Sequence, residues 1–167
     1  RSLMSSSLQD AQVLLAYTRD SILASRSGYH VLADYLPGTG QIVTPRGDPT
    51  RGWSLLKARI LRRLAFSRWY TAGSYAMEKQ VRQRLGEGNT RAVHLLWCDR
   101  DMGFLDRWMD CRSHPLIGTF HQCADELPRL IRRPSALRKF AAIIIMSESQ
   151  RPYFQEQGVQ ADRIHCI

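Results

Sequence analysis

The chain has 167 residues, 44% of them apolar, with 24 Lys and Arg against 15 Asp and Glu for a formal charge of +9. That length suits one domain with a real core and is too short for two full ones, and the apolar fraction excludes a disordered chain. No apolar run approaches the roughly 20 residues of a membrane span. The excess of cations favours an anionic partner without choosing among nucleic acid, acidic lipid and a phosphorylated ligand.

In chain order, Arg1 to Leu3 before Met4 read as a cloning remnant, so the domain is expected to occupy residues 5–167, and the first residues show no signal-peptide pattern. AQVLLAYT (11–18) reads as a first strand, a β-branched and aromatic run bounded by polar residues. SGYHVLADYLPG (27–38) places Val31, Leu32, Tyr35 and Leu36 on one helical face, and Pro37-Gly38 ends that helix. QIVT (41–44) is a short second strand, followed by the turn-rich PRGDPTRG (45–52). The proline-free stretch from Trp53 to Leu85 predicts two helices broken near Thr71-Ala72-Gly73. RAVHLLWC (91–98) is a third strand, MGFLDRWMD (102–110) a short helix and PLIGTF (115–120) a fourth strand. ADELPRLIRRPSALRKF (124–140) is helical with an interruption at Pro134. AAIIIMS (141–147), the most apolar run, reads as the central strand, buried on both faces. ESQRPYFQEQG (148–158) is a helix capped by Gly158, and RIHCI (163–167) begins one more strand. Strands alternating with helices predict an α/β domain with a Rossmann-like parallel sheet flanked by helices.

Ligands of such sheets bind outside the carboxyl ends of the strands, which directs attention to the residues just after each apolar run. His121 ends the fourth strand, where an imidazole can donate to or accept from a sugar hydroxyl or a phosphate; the alternative is a histidine bonded to a neighbouring loop. Ser27-Gly28 opens the first helix, where a glycine lets backbone approach a phosphate, although the segment is no G-x-G-x-x-G and a plain helix start fits equally. Asp99 and Asp101 follow the third strand, where they can act on a ligand or be neutralised by Arg100 and Arg107. Ser147 follows the fifth strand. The stretch 53–70 reads as one basic amphipathic helix. Trp53, Leu56, Ile60, Leu61 and Leu64 share an arc, Arg59, Arg62 and Arg63 lie opposite, and Lys57 and Arg68 run along the flank. Trp69 and Tyr70 add interfacial aromatics. Packed on the sheet with its cations in water, it is an ordinary helix; laid on acidic lipid, it is a membrane contact. Nucleic acid is disfavoured, because no helix-turn-helix, RNP or zinc-finger signature is present. The four cysteines form no C-x-x-C pair, which suits a reducing, cytosolic setting. Cys111, His114, His121 and Cys123 have zinc-ligand chemistry but lack the paired spacing of structural sites, so no metal is expected.

SGYHVLADYL after the first strand, PLIGTFH, and then AAIIIMSESQRPYFQEQGVQADRIHCI together resemble the N-terminal domain of retaining, nucleotide-sugar-dependent glycosyltransferases of family 4, which have the two-domain GT-B fold. In that family a strand ends in His, matched by His121, and a later strand ends in Ser, matched by Ser147. A G-V-x-x-x-[KR]-I step follows, matched by Gly158-Val159 and Arg163-Ile164. The resemblance implies transfer of a hexose from a nucleotide sugar to a glycan or lipid-linked acceptor hydroxyl, with retention and without a cofactor. It sets His121 at the acceptor and the transferred sugar, Gly28 near the diphosphate and Ser147 at the cleft edge. It also implies that the donor is held mainly by a C-terminal domain absent here, so that the chain alone binds acceptor weakly and does not turn over. A cytoplasmic protein, peripheral at the inner face of a membrane, is the matching expectation. A non-catalytic anion-binding module built on the basic helix is the alternative, and a self-sufficient flavodoxin-like domain a third.

Overall fold

The computed structural model describes residues 13–19, 39–45 and 55–167. The helix expected over 27–38, with Ser27 and Gly28, and the start of the basic stretch at Trp53 lie outside the described residues. Six strands form one all-parallel sheet: β1 (Val13–Arg19), β2 (Thr39–Pro45), β3 (Ala92–Leu95), β4 (Leu116–Phe120), β5 (Ala142–Ile145) and β6 (Ile164–Cys166), in the order β2-β1-β3-β4-β5-β6. This is an α/β fold of Rossmann-like type. The order reverses between β1 and β3, so a topological switch point lies at their carboxyl ends.

The helices among the described residues are α1 (Leu55–Leu64), α2 (Ala72–Gly86), α3 (Cys98–Asp101), α4 (Leu105–Trp108), α5 (Leu127–Leu130) and α6 (Arg151–Glu156), joined by 3-10 turns at Pro134–Lys139, Glu148–Gln150 and Ala161–Arg163. Thr71 starts α2 with a capping box: its hydroxyl accepts from the Ser74 N–H and the Ser74 hydroxyl accepts from the Thr71 N–H. Beyond the end of α6, Gly158 takes φ +85°, the left-handed conformation that glycine adopts without strain. One face of the sheet (Leu14, Ala16, Val93, Leu95, Leu116, Phe120, Ile143, Ile145) shares a core with Met77 and Val81 of α2 and with Phe66, Phe140 and Phe154. Gly118 in β4 makes room for that layer, since a Cβ there would lie 2.6 Å from the Phe140 ring and 2.9 Å from Cys98 Sγ.

The structure departs from the sequence expectations in four places. β5 is second from an edge rather than central, and its Ala142 and Ile144 are only half-buried, because β6 pairs beyond it and the second face of the sheet is incompletely covered there. The third strand ends at Leu95, and α3 starts at Cys98 where strand was expected. The segment 124–140, expected to be helical with an interruption at Pro134, holds one α-turn at Leu127–Leu130 and one 3-10 turn at Pro134–Lys139. The basic stretch is helical only over α1: from Ala65 the backbone leaves the helix to bond elsewhere. Phe66 and Ser67 N–H donate to the Gly103 and Met102 carbonyls, Arg68 N–H to the Leu130 carbonyl and Arg132 N–H to the Phe66 carbonyl. The apolar arc of α1 does not face the core as a unit. Leu61 packs against Ala65, Tyr70 and Phe104, whereas Leu56, Ile60 and Leu64 are exposed. Tyr70, expected at an interface with lipid, is wholly buried.

Candidate functional site

The carboxyl ends of β1, β3, β4 and β5 are drawn together by side chains that leave the strands at their last residues. Thr18 closes β1; its N–H and hydroxyl donate to Asp101 of α3 at 2.8 and 2.6 Å. Arg100 donates to the Thr18 carbonyl at 3.1 Å, pairs with Asp101 at 3.3 Å and lies over the Trp97 ring at 4.5 Å. Asp101 is therefore occupied in holding β1 against α3.

His121 stands immediately after β4 and is half-buried. Its Nε2 lies 2.7 Å from the Leu96 carbonyl, and its ring stacks on Trp97 with centroids 3.9 Å apart and planes 20° from parallel. A carbonyl only accepts, so Nε2 is the donor of this bond. The backbone beneath is fixed as well. Asp99, fully buried, accepts the N–H groups of His121 and Gln122 on Oδ2 at 2.9 and 2.7 Å. Its other oxygen, Oδ1, is buried without a hydrogen-bond partner. Burial pushes the Asp99 carboxyl above its ordinary value, against the pull of the Gln122 and His121 N–H groups, as expected for a carboxylate with one oxygen unsolvated and unpaired.

The β5 side of the edge is tied in by Gln150. Its Oε1 accepts from the Met146 and Ser147 N–H groups at 2.8 and 2.9 Å, and its Nε2 donates to the Phe120 and Gln122 carbonyls at 3.2 and 2.6 Å. Ser147 is exposed and caps the following turn, its hydroxyl accepting from the Ser149 N–H at 3.3 Å. One edge thus holds Trp97, Arg100, His121 and Ser147 at or near the surface, on a floor of Asp99, Asp101 and Gln150.

A buried pillar supports this edge from below. Glu78 of α2 accepts on Oε1 from the Gly103, Phe104 and Leu105 N–H groups at 2.7, 2.9 and 3.2 Å, and on Oε2 from the Tyr70 hydroxyl at 2.6 Å. Burial pushes the Glu78 carboxyl up to about 7, although these donors hold it down. Tyr70 is pushed far above the usual phenol range by burial and then by Glu78. Gly103 meets the Tyr70 ring so closely that a Cβ there would overlap it.

Among the residues singled out in the sequence, His121, Asp99 and Ser147 meet at this edge, with Asp99 beneath the surface. Ser27 and Gly28 lie outside the described residues. Lys57, Arg59, Arg62, Arg63 and Arg68 are exposed on and after α1, a separate surface. Cys111 lines a cleft of about 740 Å³ with Pro115 and Ala141, at the amino ends of β4 and β5, the edge opposite His121. The four zinc-type ligands do not converge, and among the described residues no three His, Cys, Asp or Glu side chains form a metal cluster. His94, inside β3, is bonded at Nε2 to the Thr119 hydroxyl at 2.8 Å, and burial lowers it to about 4. Sequence reasoning missed Trp97 and Gln150 as parts of the edge, whereas Arg100 was expected to neutralise the neighbouring aspartates and does pair with Asp101. The Ser147-to-Gln150 spacing of a capping box was the available signal for Gln150; Trp97 and the reach of Arg100 to Thr18 carried none, because both contacts join distant segments.

No family model matches the chain, and no curated protein matches it. No helix of the described residues is long and apolar enough to cross a membrane.

Proposed function

We propose that this chain is the acceptor-side domain of a retaining, nucleotide-sugar-dependent glycosyltransferase of the GT-B kind, in which His121 faces the transferred sugar and the acceptor. The observation that carries this reading is the seating of His121 at the carboxyl edge of a parallel sheet, its ring locked by the Leu96 carbonyl and Trp97 and its backbone by Asp99. A ring so held keeps one orientation, which suits positioning a sugar hydroxyl. Asp99 then acts as a positioning residue for His121 rather than as a substrate contact, and Ser147 lies at the rim. The donor's diphosphate would be stabilised by backbone amides and cations of a second domain, so a hexose passes to an acceptor hydroxyl only when both domains close.

The test uses the protein carrying this domain together with such a second domain, incubated with radiolabelled UDP-glucose and GDP-mannose as probes. Hexose transfer is expected with one of them. His121→Ala should lower the rate by at least about 100-fold, the usual range for losing a positioned proton-handling group. Transfer at the wild-type rate in that variant refutes the role of His121.

One observation favours a second reading, a self-sufficient flavodoxin-like domain. The order β2-β1-β3-β4-β5 is that of flavodoxin-type sheets, which bind a flavin mononucleotide at the switch point between β1 and β3. Quenching of flavin fluorescence on titration with the protein would support it, and unchanged fluorescence dismisses it.

A further inference from the structure

We infer that the outer face of α1 and the turn after it form a docking surface for an anionic lipid bilayer. Leu56, Ile60 and Leu64 recur every four residues and so align along one side of the helix. They are 69%, 49% and 49% exposed, and Trp69, beyond the helix end, is 39% exposed. Isolated exposed leucines are ordinary; a row of three with a tryptophan is a patch that water disfavours. Its setting identifies the partner. From Trp53 to Tyr70 the chain carries five cations (Lys57, Arg59, Arg62, Arg63 and Arg68) and no Asp or Glu.

A sixth cation arrives from elsewhere in the fold. Ser67 and Ile131 form an antiparallel bridge, flanked by the bonds Arg68 N–H to the Leu130 carbonyl and Arg132 N–H to the Phe66 carbonyl. That pairing sets Arg68 against Leu130 and Arg132 against Phe66, so the two arginines lie diagonally across the bridge. Burial and then Arg68, Arg62 and Arg63 depress the Arg132 guanidinium, which marks the four as one crowded cluster. Like charges held together by backbone pairing gain from a polyanionic surface in a way that a neutral protein face does not offer. Leucine and isoleucine suit the acyl boundary, with Lys57 and Arg68 along their flank to meet headgroups, and tryptophan suits the headgroup level. The same bonds anchor the end of α1 to Met102, Gly103 and Leu130, so the helix does not have to fold at the membrane. This surface is independent of the transferase reading and stands if that reading fails.

The experiment is flotation of the purified protein with vesicles of equal parts phosphatidylglycerol and phosphatidylcholine, against phosphatidylcholine alone. Binding is expected only to the anionic vesicles, weakening as salt is raised. Ile60→Gln with Leu64→Gln should lower the partition coefficient at least about tenfold, and Arg62→Glu with Arg63→Glu should abolish binding; all four side chains are exposed, and an unchanged unfolding midpoint certifies each variant. Absence of flotation overturns the inference, whether or not the protein is retained on duplex DNA. Anionic-vesicle binding that the Ile60 and Leu64 changes leave intact also overturns it, since charge alone would then suffice. A homodimer that dissolves in that variant overturns it too, because a second copy then covers the stripe.

Discussion

Glu78 offers the sharpest quantitative test of how the floor of the candidate site is held. Its carboxylate, fully buried, satisfies three successive backbone N–H groups at the start of α4 and the Tyr70 hydroxyl. Glu78→Ala strips all four donors at once. At about 1–3 kcal/mol for each buried donor left unpaired, the loss exceeds about 4 kcal/mol, a large share of the roughly 5–15 kcal/mol that stabilises a domain. Glu78→Gln keeps an oxygen for the N–H groups, and Tyr70 can turn its hydroxyl to accept from the new amide; it should cost only about 1–2 kcal/mol. The pH dependence separates charge from shape. Because burial raises this carboxyl to about 7 in the folded chain, its contribution is fully present below the unfolded carboxyl value and is lost as pH rises through about 7. Glutamine has no such proton. Urea unfolding followed by tryptophan fluorescence at about pH 5 and about pH 8 should show the wild type losing up to about 3 kcal/mol relative to Glu78→Gln as pH rises, enough to reverse their order. A difference that does not change with pH, or a Glu78→Ala variant within about 1 kcal/mol of wild type, refutes the reasoning.

His94 should act in the opposite sense. Its folded value is depressed to about 4 by burial, so its stabilisation is present above the unfolded histidine value and lost as pH falls through about 4, and His94→Gln should flatten that acid limb in the same assay. Gly118→Ala pushes a methyl group to within 2.6 Å of the Phe140 ring and is expected to cost about 1–3 kcal/mol in urea unfolding; an unchanged midpoint would mean that the Phe140 layer yields freely. Asp99→Ala leaves the His121 and Gln122 N–H groups unpaired and should cost about 2–5 kcal/mol, whereas Asp99→Asn, whose amide oxygen can accept both, should stay within about 1 kcal/mol. In the alanine variant the Trp97–His121 stack should loosen, read as lost chemical-shift dispersion of the His121 ring protons. A sharp, unshifted His121 signal there would remove Asp99 from its positioning role.

Much of the sheet was legible because strand formation is written in short-range patterns. The runs 11–18, 41–44, 91–98, 115–120, 141–147 and 163–167 each overlap an observed strand, and the alternation with helices announced a parallel sheet. Thr71 as a helix boundary and Gly158 as a cap were legible for the same reason, since caps are set by a few neighbouring residues. Helix length was less so. Residues 65–70 carry helical periodicity, but Ser67 and Arg68 gain backbone partners in segments 102–103 and 130–132, and those bonds outweigh propensity. At the site, position after a strand singled out His121, Asp99 and Ser147. What Asp99 does depended on β3 and β4 lying side by side, which places its carboxylate under the His121 backbone. The facing of α1 was undecided for a related reason: periodicity shows that Leu56, Ile60, Leu61 and Leu64 lie near one another, and only the neighbours decide whether that side meets the core. Composition and local pattern thus determined the fold class, the strands and a basic amphipathic segment. The tertiary structure decided which carboxylates became floor, which ring His121 stacks on and which leucines remained in water, because each depends on contacts between residues far apart in the chain.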